Sequence, residues 1–380
     1  MLGQKMTSLV TYIIRRMMLL VFVLLGVTAL VFAITMMFPP DVRAYMYIRN
    51  AEQTRPGVMT GLIEKYGLND PFYLQYGRWL SQVFEGNLGW SHAAGVGGMP
   101  VTEAIRTKWP YTFEIVLFAA PLIIFVGIYI GVQAAIHRNG VIDQISRVIS
   151  IVGWSLPSFW VGMLLLATVN ASFHVSLTGP LTQGSINYVT SSGFVRATGV
   201  DIFDGVLNAA FFQGRARDIV VGANNTGGMA ISWISDLGVS VDALSHVILP
   251  VIVIVVIDMA LLIRVMRSSM LEALGKPYII TAKAKGLKKN VVIYKHARRN
   301  ALIPVATLSG MLVAGLLGGL VITETVFSMP GLGNWAAASA VQVDIPAVLG
   351  YAILSALMFV IANLVVDILY AYIDPRIRLD

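Results

Sequence analysis

The chain has 380 residues, of which 57% are hydrophobic and only 12% charged, with no cysteine and a formal net charge of +7. Soluble domains carry roughly 25% charged residues, so an ordinary soluble protein is excluded. A disulfide scaffold, a collagen-like chain and a disordered chain fail as well, because nothing can cross-link, the glycines show no three-residue period and the apolar content is high.

A helix needs about 20 apolar residues to cross a hydrocarbon core. Uncharged runs of that order occupy 17–38, 115–136, 148–173, 301–323 and 345–366, and a sixth, 247–263, is interrupted only by Asp258. The expectation is an all-α membrane protein with six transmembrane helices. The first run follows Arg15 and Arg16 as a secretory signal would, but it is too long, and Met36-Met37-Phe38-Pro39 offers no small-residue cleavage pattern, so it reads as a retained span.

Basic residues are retained on the cytoplasmic side of short loops. Lys5, Arg15 and Arg16 precede the first span, Arg138 and Arg147 flank the loop after the second, and Arg376 and Arg378 follow the sixth. The stretch 264–299 carries ten Lys and Arg against one acid, Glu272, whereas 326–344 has no Lys or Arg. This predicts a multi-pass protein of the plasma (inner) membrane with both termini in the cytoplasm. Residues 1–38 then form the N-terminus and first span, 39–112 an extracytoplasmic loop, and 113–380 a five-helix core with an extracytoplasmic insertion at about 177–240 and a cytoplasmic segment at 267–300.

In the first outer loop Tyr73, Tyr76, Trp79, Leu80, Val83 and Phe84 recur at helical spacing, which predicts a short amphipathic helix on the outer surface, ended by Gly86-Asn87-Leu88-Gly89. The second, with Gly222-Ala223-Asn224-Asn225-Thr226-Gly227-Gly228, is either a lid folded against something or an insertion without function.

Gly275-Lys276-Pro277 should break the helix descending from the fourth span, and Gly286 should end a short helix from Tyr278 to Lys285. Ala282 and Ala284 would let another protein approach closely, with Tyr278 and Leu287 as anchors. For Lys283, Lys285, Lys288 and Lys289 a basic loop obeying the positive-inside rule explains the charge equally well.

Here the sequence resembles the permease subunits of ATP-binding-cassette importers of the dipeptide/oligopeptide/nickel branch. The matching blocks are Arg267-Ser268-Ser269-Met270-Leu271-Glu272, Tyr278, Thr281-Ala282-Lys283-Ala284-Lys285-Gly286-Leu287, His296-Ala297 and Asn300-Ala301-Leu302-Ile303-Pro304. Tyr66-Gly67-Leu68-Asn69-Asp70-Pro71, Ser155-Leu156-Pro157-Ser158-Phe159-Trp160, Glu324-Thr325-Val326-Phe327-Ser328-Met329-Pro330-Gly331-Leu332-Gly333 and Asn363-Leu364-Val365-Val366-Asp367 are similar too. The general importer pattern opens Glu-Ala-Ala, and only Ala282 and Gly286 keep a clear place in it. The resemblance implies a coupling helix carrying Tyr278, Thr281, Ala282, Ala284, Lys285, Gly286 and Leu287, which docks in a cleft on an ATPase. It also implies a homologous permease partner, two ATPase subunits that bind ATP and Mg, and an extracytoplasmic substrate-binding protein. The cargo would be di- or oligopeptides, or by the same machinery oligosaccharides or nickel chelates.

Asp258 lies deeper than any other charge in these runs and has two readings. It lines a pathway and attracts a cationic group such as a peptide ammonium, or it is a structural carboxylate hydrogen-bonded between helices or held neutral. Glu324 and Asp367, near span ends, read as structural polar contacts. Gly310, Ala314 and Gly318 recur every four residues and allow close helix packing, within the chain or against a second subunit.

No Gly-x-x-x-x-Gly-Lys-Ser/Thr loop and no catalytic motif is present, so the chain is expected to be no enzyme and to bind neither cofactor nor metal. An ion-coupled secondary transporter would need its own coupling site, for which Asp258 is the one candidate.

Overall fold

The computed structural model describes residues 2–48, 56–95, 97–173, 177–182, 185, 186, 189, 198–207 and 228–373; side chains at 2–17, 20, 46, 56, 205, 228–236 and 366–373 lie outside the description. Apart from its connecting turns and loops, the described chain is helical except for one short ladder. In order it runs α1 (Leu2–Thr35), α2 (Pro40–Ala44), α3 (Pro56–Tyr66), α4 (Phe72–Phe84), β1 (Trp90–Ser91), β2 (Met99–Pro100), α5 (Val101–Ile136), α6 (Val141–Ser155) and α7 (Ser158–Phe173). There follow α8 (Asp201–Leu207), α9 (Gly228–Leu274), α10 (Pro277–Ala284), a π-helix (Val291–Ala297), α11 (Arg298–Leu317), α12 (Val321–Val326), α13 (Leu332–Val341) and α14 (Ile345–Ile373). β1 and β2 pair antiparallel, Trp90 opposite Pro100.

Among the described residues four helical stretches are long and apolar enough to cross a membrane: Val101–Ile136, Leu237–Leu274, Val291–Leu317 and Ile345–Val365. A fifth arises if α6 and α7 form one broken span, since they meet at 100°. The expected continuous run over 148–173 is therefore corrected to a broken one. Pro157 has no N–H to donate and disfavours helical backbone in the residue before it; Leu156 accordingly sits at φ −80, ψ 129. The run over 301–323 is also interrupted, because α11 stops at Leu317 and α12 begins afresh at Val321. The apolar part of α1 that is described, Val21–Thr35, is shorter than a crossing. At its other end α5 reaches back beyond residue 115 to Val101 and takes in Glu103, Arg106, Lys108 and Glu114.

The core is built on α9 against α5. A Cβ at Gly131 would lie 2.6 Å from the Met266 Cβ, and one at Gly127 would lie 2.9 Å from Leu262 Cδ2, so the two helices approach to a distance that only glycine permits. On another side α9 meets α6, where a Cβ on Gly153 would stand 2.8 Å from the Val256 carbonyl oxygen. α11 and α14 pack beside them, and the Ser355 hydroxyl donates to the Gly318 carbonyl at 3.3 Å.

The expected amphipathic helix is α4. Its Trp79 is buried against Phe32 of α1, ring centroids 5.3 Å apart, and against Ile345 and Leu349 of α14. Buried Arg43 fixes the chain around it, donating to Gln75 Oε1 at 2.6 Å and to the Leu68 carbonyl at 2.8 Å. The second connection holds more structure than a loop, since α8 and the first turns of α9 lie within 177–240; Gly222 to Gly227 lie outside the described residues.

Gly131→Val is expected to destabilise the fold by about 2 kcal/mol through overpacking against Met266. Gly315→Ala, with nothing within 4 Å of a Cβ there, should leave the unfolding midpoint in detergent unchanged or slightly raised. Equal midpoints for Gly131→Val and the parent chain would refute this account of the core.

Candidate functional site

The expected short helix appears as α10, Pro277–Ala284, with Pro277 in its first turn after the extended Lys276. Pro is favoured there because its missing N–H has no helical partner to lose. Gly286 at φ +74 closes the helix: its N–H donates to Lys283 O at 3.0 Å and the Leu287 N–H to Ala282 O at 3.4 Å. That crossed pair is the Schellman cap, whose left-handed residue is usually glycine. Lys276 is tied back to Glu272 at 2.8 Å, and this carboxylate hydrogen bond holds the Lys276 ammonium above its ordinary range.

α10 has two distinct faces. Ile279 and Ala282 are buried, packed into the main core with Val292, Ile293 and Ala297. Ala282 therefore serves as the small residue that lets α10 seat on its own protein, which corrects the expectation that it presents a small surface to a partner. The outward face carries Tyr278, Thr281, Lys283, Ala284, Lys285 and Leu287, all exposed, and Ile280, 65% exposed. Sequence reasoning passed over Ile280; its place between 279 and 282, which share the inward stripe three residues apart, put it about 100° or more around the helix from both and was the available signal. Lys288 and Lys289 continue this basic surface, and Tyr294 lies nearby with the Arg298 guanidinium 5.4 Å from its ring.

Two turns before the end of α9 lies an ion pair with a buried carboxylate that the sequence did not disclose. Asp143 in the first turn of α6 has no exposure, and both of its oxygens accept from Arg267 of α9, with Arg267 Nη2 at 3.0 Å. Arg147 Nη2 at 3.0 Å and the Asn139 N–H at 2.9 Å complete its shell. The end of α9 from which α10 hangs is thus fastened to α6.

At the opposite end of the bundle Glu324 has the structural role expected of it. It is fully buried; Thr112 Oγ1 donates to Oε1 at 2.7 Å, the Leu320 N–H to Oε1 at 3.2 Å and the Asn334 N–H to Oε2 at 2.8 Å. A Cβ on Gly331 would fall 2.4 Å from the Glu324 carboxyl carbon, so glycine there makes room for the carboxylate. Gly310 and Ala314 are buried within this chain and Gly318 is half-buried under α14, which places the small-residue stripe in intramolecular packing. The Asp367 side chain lies outside the described residues. Asp258 is half-buried in α9, and among the described residues nothing donates to it. The described residues contain no group of three His, Asp or Glu fit for a metal.

Removing one member of a buried ion pair strands the other charge, at a cost of about 3 kcal/mol or more. Asp143→Ala should accordingly lower the thermal unfolding midpoint in detergent by several degrees. Arg147→Ala, at a side chain 47% exposed, should cost under about 1 kcal/mol; comparable losses for the two would show that the Arg267 pair is not the fastening.

Residues 123–379 match the family described as the binding-protein-dependent transport system inner membrane component, and residues 9–115 match its N-terminal counterpart. The chain is 35% identical to the dipeptide transport system permease protein DppB of Alkalihalophilus pseudofirmus over 374 residues, which is 97% of this chain and all of that one. It is 35% identical to DppB of Escherichia coli K12 over 97% of this chain and 98% of the relative. With the oligopeptide transport system permease protein AppB of Bacillus subtilis it shares 34% identity over 97% and 99%. With its long apolar helices and these matches over nearly its whole length, the chain belongs to the family of binding-protein-dependent transport system inner membrane components.

Proposed function

We propose that this chain is the permease subunit of an ATP-driven importer of di- or oligopeptides. The observation that carries the reading is the pairing of near end-to-end similarity to dipeptide and oligopeptide permeases with a capped, two-faced α10. In this reading α10 is the coupling helix. Its inward face, Ile279 and Ala282, fixes it to α9 and α11 through the core, and its outward face, centred on Ile280 between Tyr278 and Leu287, enters an apolar cleft on an ATPase subunit. Lys283, Lys285, Lys288 and Lys289 around that apolar patch favour an acidic rim on the partner, which would speed docking more than tighten it.

ATP and Mg bind the two ATPase subunits, and this chain hydrolyses nothing. A homologous permease subunit supplies the other wall of the pathway, and an extracytoplasmic binding protein delivers peptide to it. Both termini and α10 are cytoplasmic in this reading, which the distribution of basic residues supports; α4 and the β1–β2 ladder then lie outside. Closure of the ATPases moves α10, and because α10 is seated on the core it carries the ends of α9 and α11 with it. This changes which side of the membrane the pathway opens to.

Ile280→Asp puts a charge into the docking face without touching the core, so the chain's own stability should change by no more than about 0.5 kcal/mol. In the complete transporter, uptake of a labelled dipeptide should fall by about tenfold or more, in the range of an interface anchor, together with loss of the ATP hydrolysis that the loaded binding protein stimulates. Normal uptake by this variant would remove α10 from the coupling role. Failure of the parent transporter to import any di- or oligopeptide would remove the peptide reading.

A further inference from the structure

Asp258 stands within the longest apolar helix of the described chain. The charged residues flanking it along α9 are Asp242 and Arg264, roughly 24 and 9 Å away along the helix axis at about 1.5 Å per residue. Arg264 donates to the Ser150 carbonyl of α6 at 3.3 Å, so its guanidinium is engaged on another side of the helix. Among the described residues Asp258 has no hydrogen bond and no ion pair, and it is only half-buried. Of the two readings open in the sequence, a clasp between helices of this chain therefore has no partner to clasp.

The direction of the residue narrows its surroundings. Val256 and Ala260 meet Gly153 of α6, and each lies two residues, about 200°, around the helix from Asp258. Leu262 and Met266 meet Gly127 and Gly131 of α5, so Asp258 sits on the side away from α6, towards the margin of the α5 contact. Around it on that side Val255, Leu261 and Val265 are partly buried apolar residues, and Ile254 and Leu262, one turn to either side, are buried in the core. A carboxylate facing lipid at mid-depth is costly, and such residues face the protein interior or a water-filled cavity. The open side of Asp258 is thus a side that water or a second subunit covers.

We propose that Asp258 is a substrate-contacting residue of the translocation pathway that receives the α-ammonium of the passing peptide, an inference that rests on the peptide reading above. Every unmodified peptide carries that group whatever its side chains, so one carboxylate in an apolar wall recognises the class without selecting a sequence. A single charge-assisted hydrogen bond in such a setting is strong enough to favour entry. With one partner and no second anchor it is also weak enough to release.

The test uses the complete transporter in proteoliposomes, with binding protein saturated by a labelled tripeptide with a free N-terminus, and compares the parent with Asp258→Asn and Asp258→Glu. Expected is a fall in maximal uptake of about tenfold for Asn and under threefold for Glu, with recovery of the partner permease and the ATPases, and ATP hydrolysis stimulated by loaded binding protein, unchanged in both. Parent-like uptake by Asp258→Asn overturns the assignment and leaves the peptide reading standing. A joint loss of partner recovery, ATP hydrolysis and uptake in Asp258→Asn also overturns it, since the carboxylate would then be pairing with a cation of the second subunit. No peptide uptake by the parent overturns both.

Discussion

The close approach of α5 and α9 at Gly127 and Gly131 is the constraint on which the rest of the molecule depends. Helices in lipid gain little by burying apolar surface against each other, because the lipid is as apolar as the side chains. What they can gain is contact distance. With no Cβ on α5, the Leu262 and Met266 side chains of α9 lie directly on its backbone, and dispersion contacts replace the missing hydrophobic drive. Once α9 is fixed there, its other sides are available: α6 crosses it at Gly153, α11 packs alongside, and its last turn ends where α10 must begin.

Polar groups then hold the two ends of this apolar spine. At the α10 end Asp143 and Arg267 join α6 to α9; at the other end Glu324 joins α5, α12 and the start of α13 through Thr112, Leu320 and Asn334. Each carboxylate is fully buried, and each is surrounded by donors. An uncompensated charge in either place would cost more than the surrounding packing returns, so these clasps specify which helix ends meet. Asp344 belongs to the same scheme, accepting from Ser91 Oγ at 2.8 Å and from the Ala93 N–H at 2.9 Å, so that the β1–β2 segment is held to the start of α14.

Local features of this fold were legible in the sequence because their causes are local. The apolar runs announce helices, and Gly275, Pro277 and Gly286 bracket α10 to within a residue; the break that Pro157 makes between α6 and α7 is just as local, yet the apolar run 148–173 reads straight through it. Long-range pairings were not legible. Asp143 and Arg267 are 124 positions apart, and Thr112 and Glu324 are 212 apart, with no periodicity to connect them. The misreading of Ala282 has the same origin: its small size was visible, but which side of a two-turn helix faces home depends on Val292, Ile293 and Ala297, which arrive later in the chain. Gly310, Ala314 and Gly318 show the limit from the other side, since a small-residue stripe fits contact with either a neighbour in the chain or a second subunit, and only the burial of Gly310 and Ala314 assigns it to the former.

How α10 is anchored also limits how it can act. Between it and α11 the chain forms a π-helix, Val291–Ala297, a conformation that accounts for well under 1% of residues and recurs at functional sites. Its wide turns place Val292, Ile293 and Ala297 together against Ile279 and Ala282, so the floor under α10 is made by the start of α11's own helical column. On its other side α10 is joined to α9 by only Gly275 and Lys276, and Lys276 is bonded back to Glu272 in α9's last turn. A displacement of α10 meets only two linking residues on the α9 side, and on the α11 side the short turn 285–288 lies next to a floor already packed on Ile279 and Ala282. It must move the end of α9, which Asp143 ties to α6, or the end of α11, which is the mechanical property a helix needs if it is to pass motion from a docked partner into the membrane bundle.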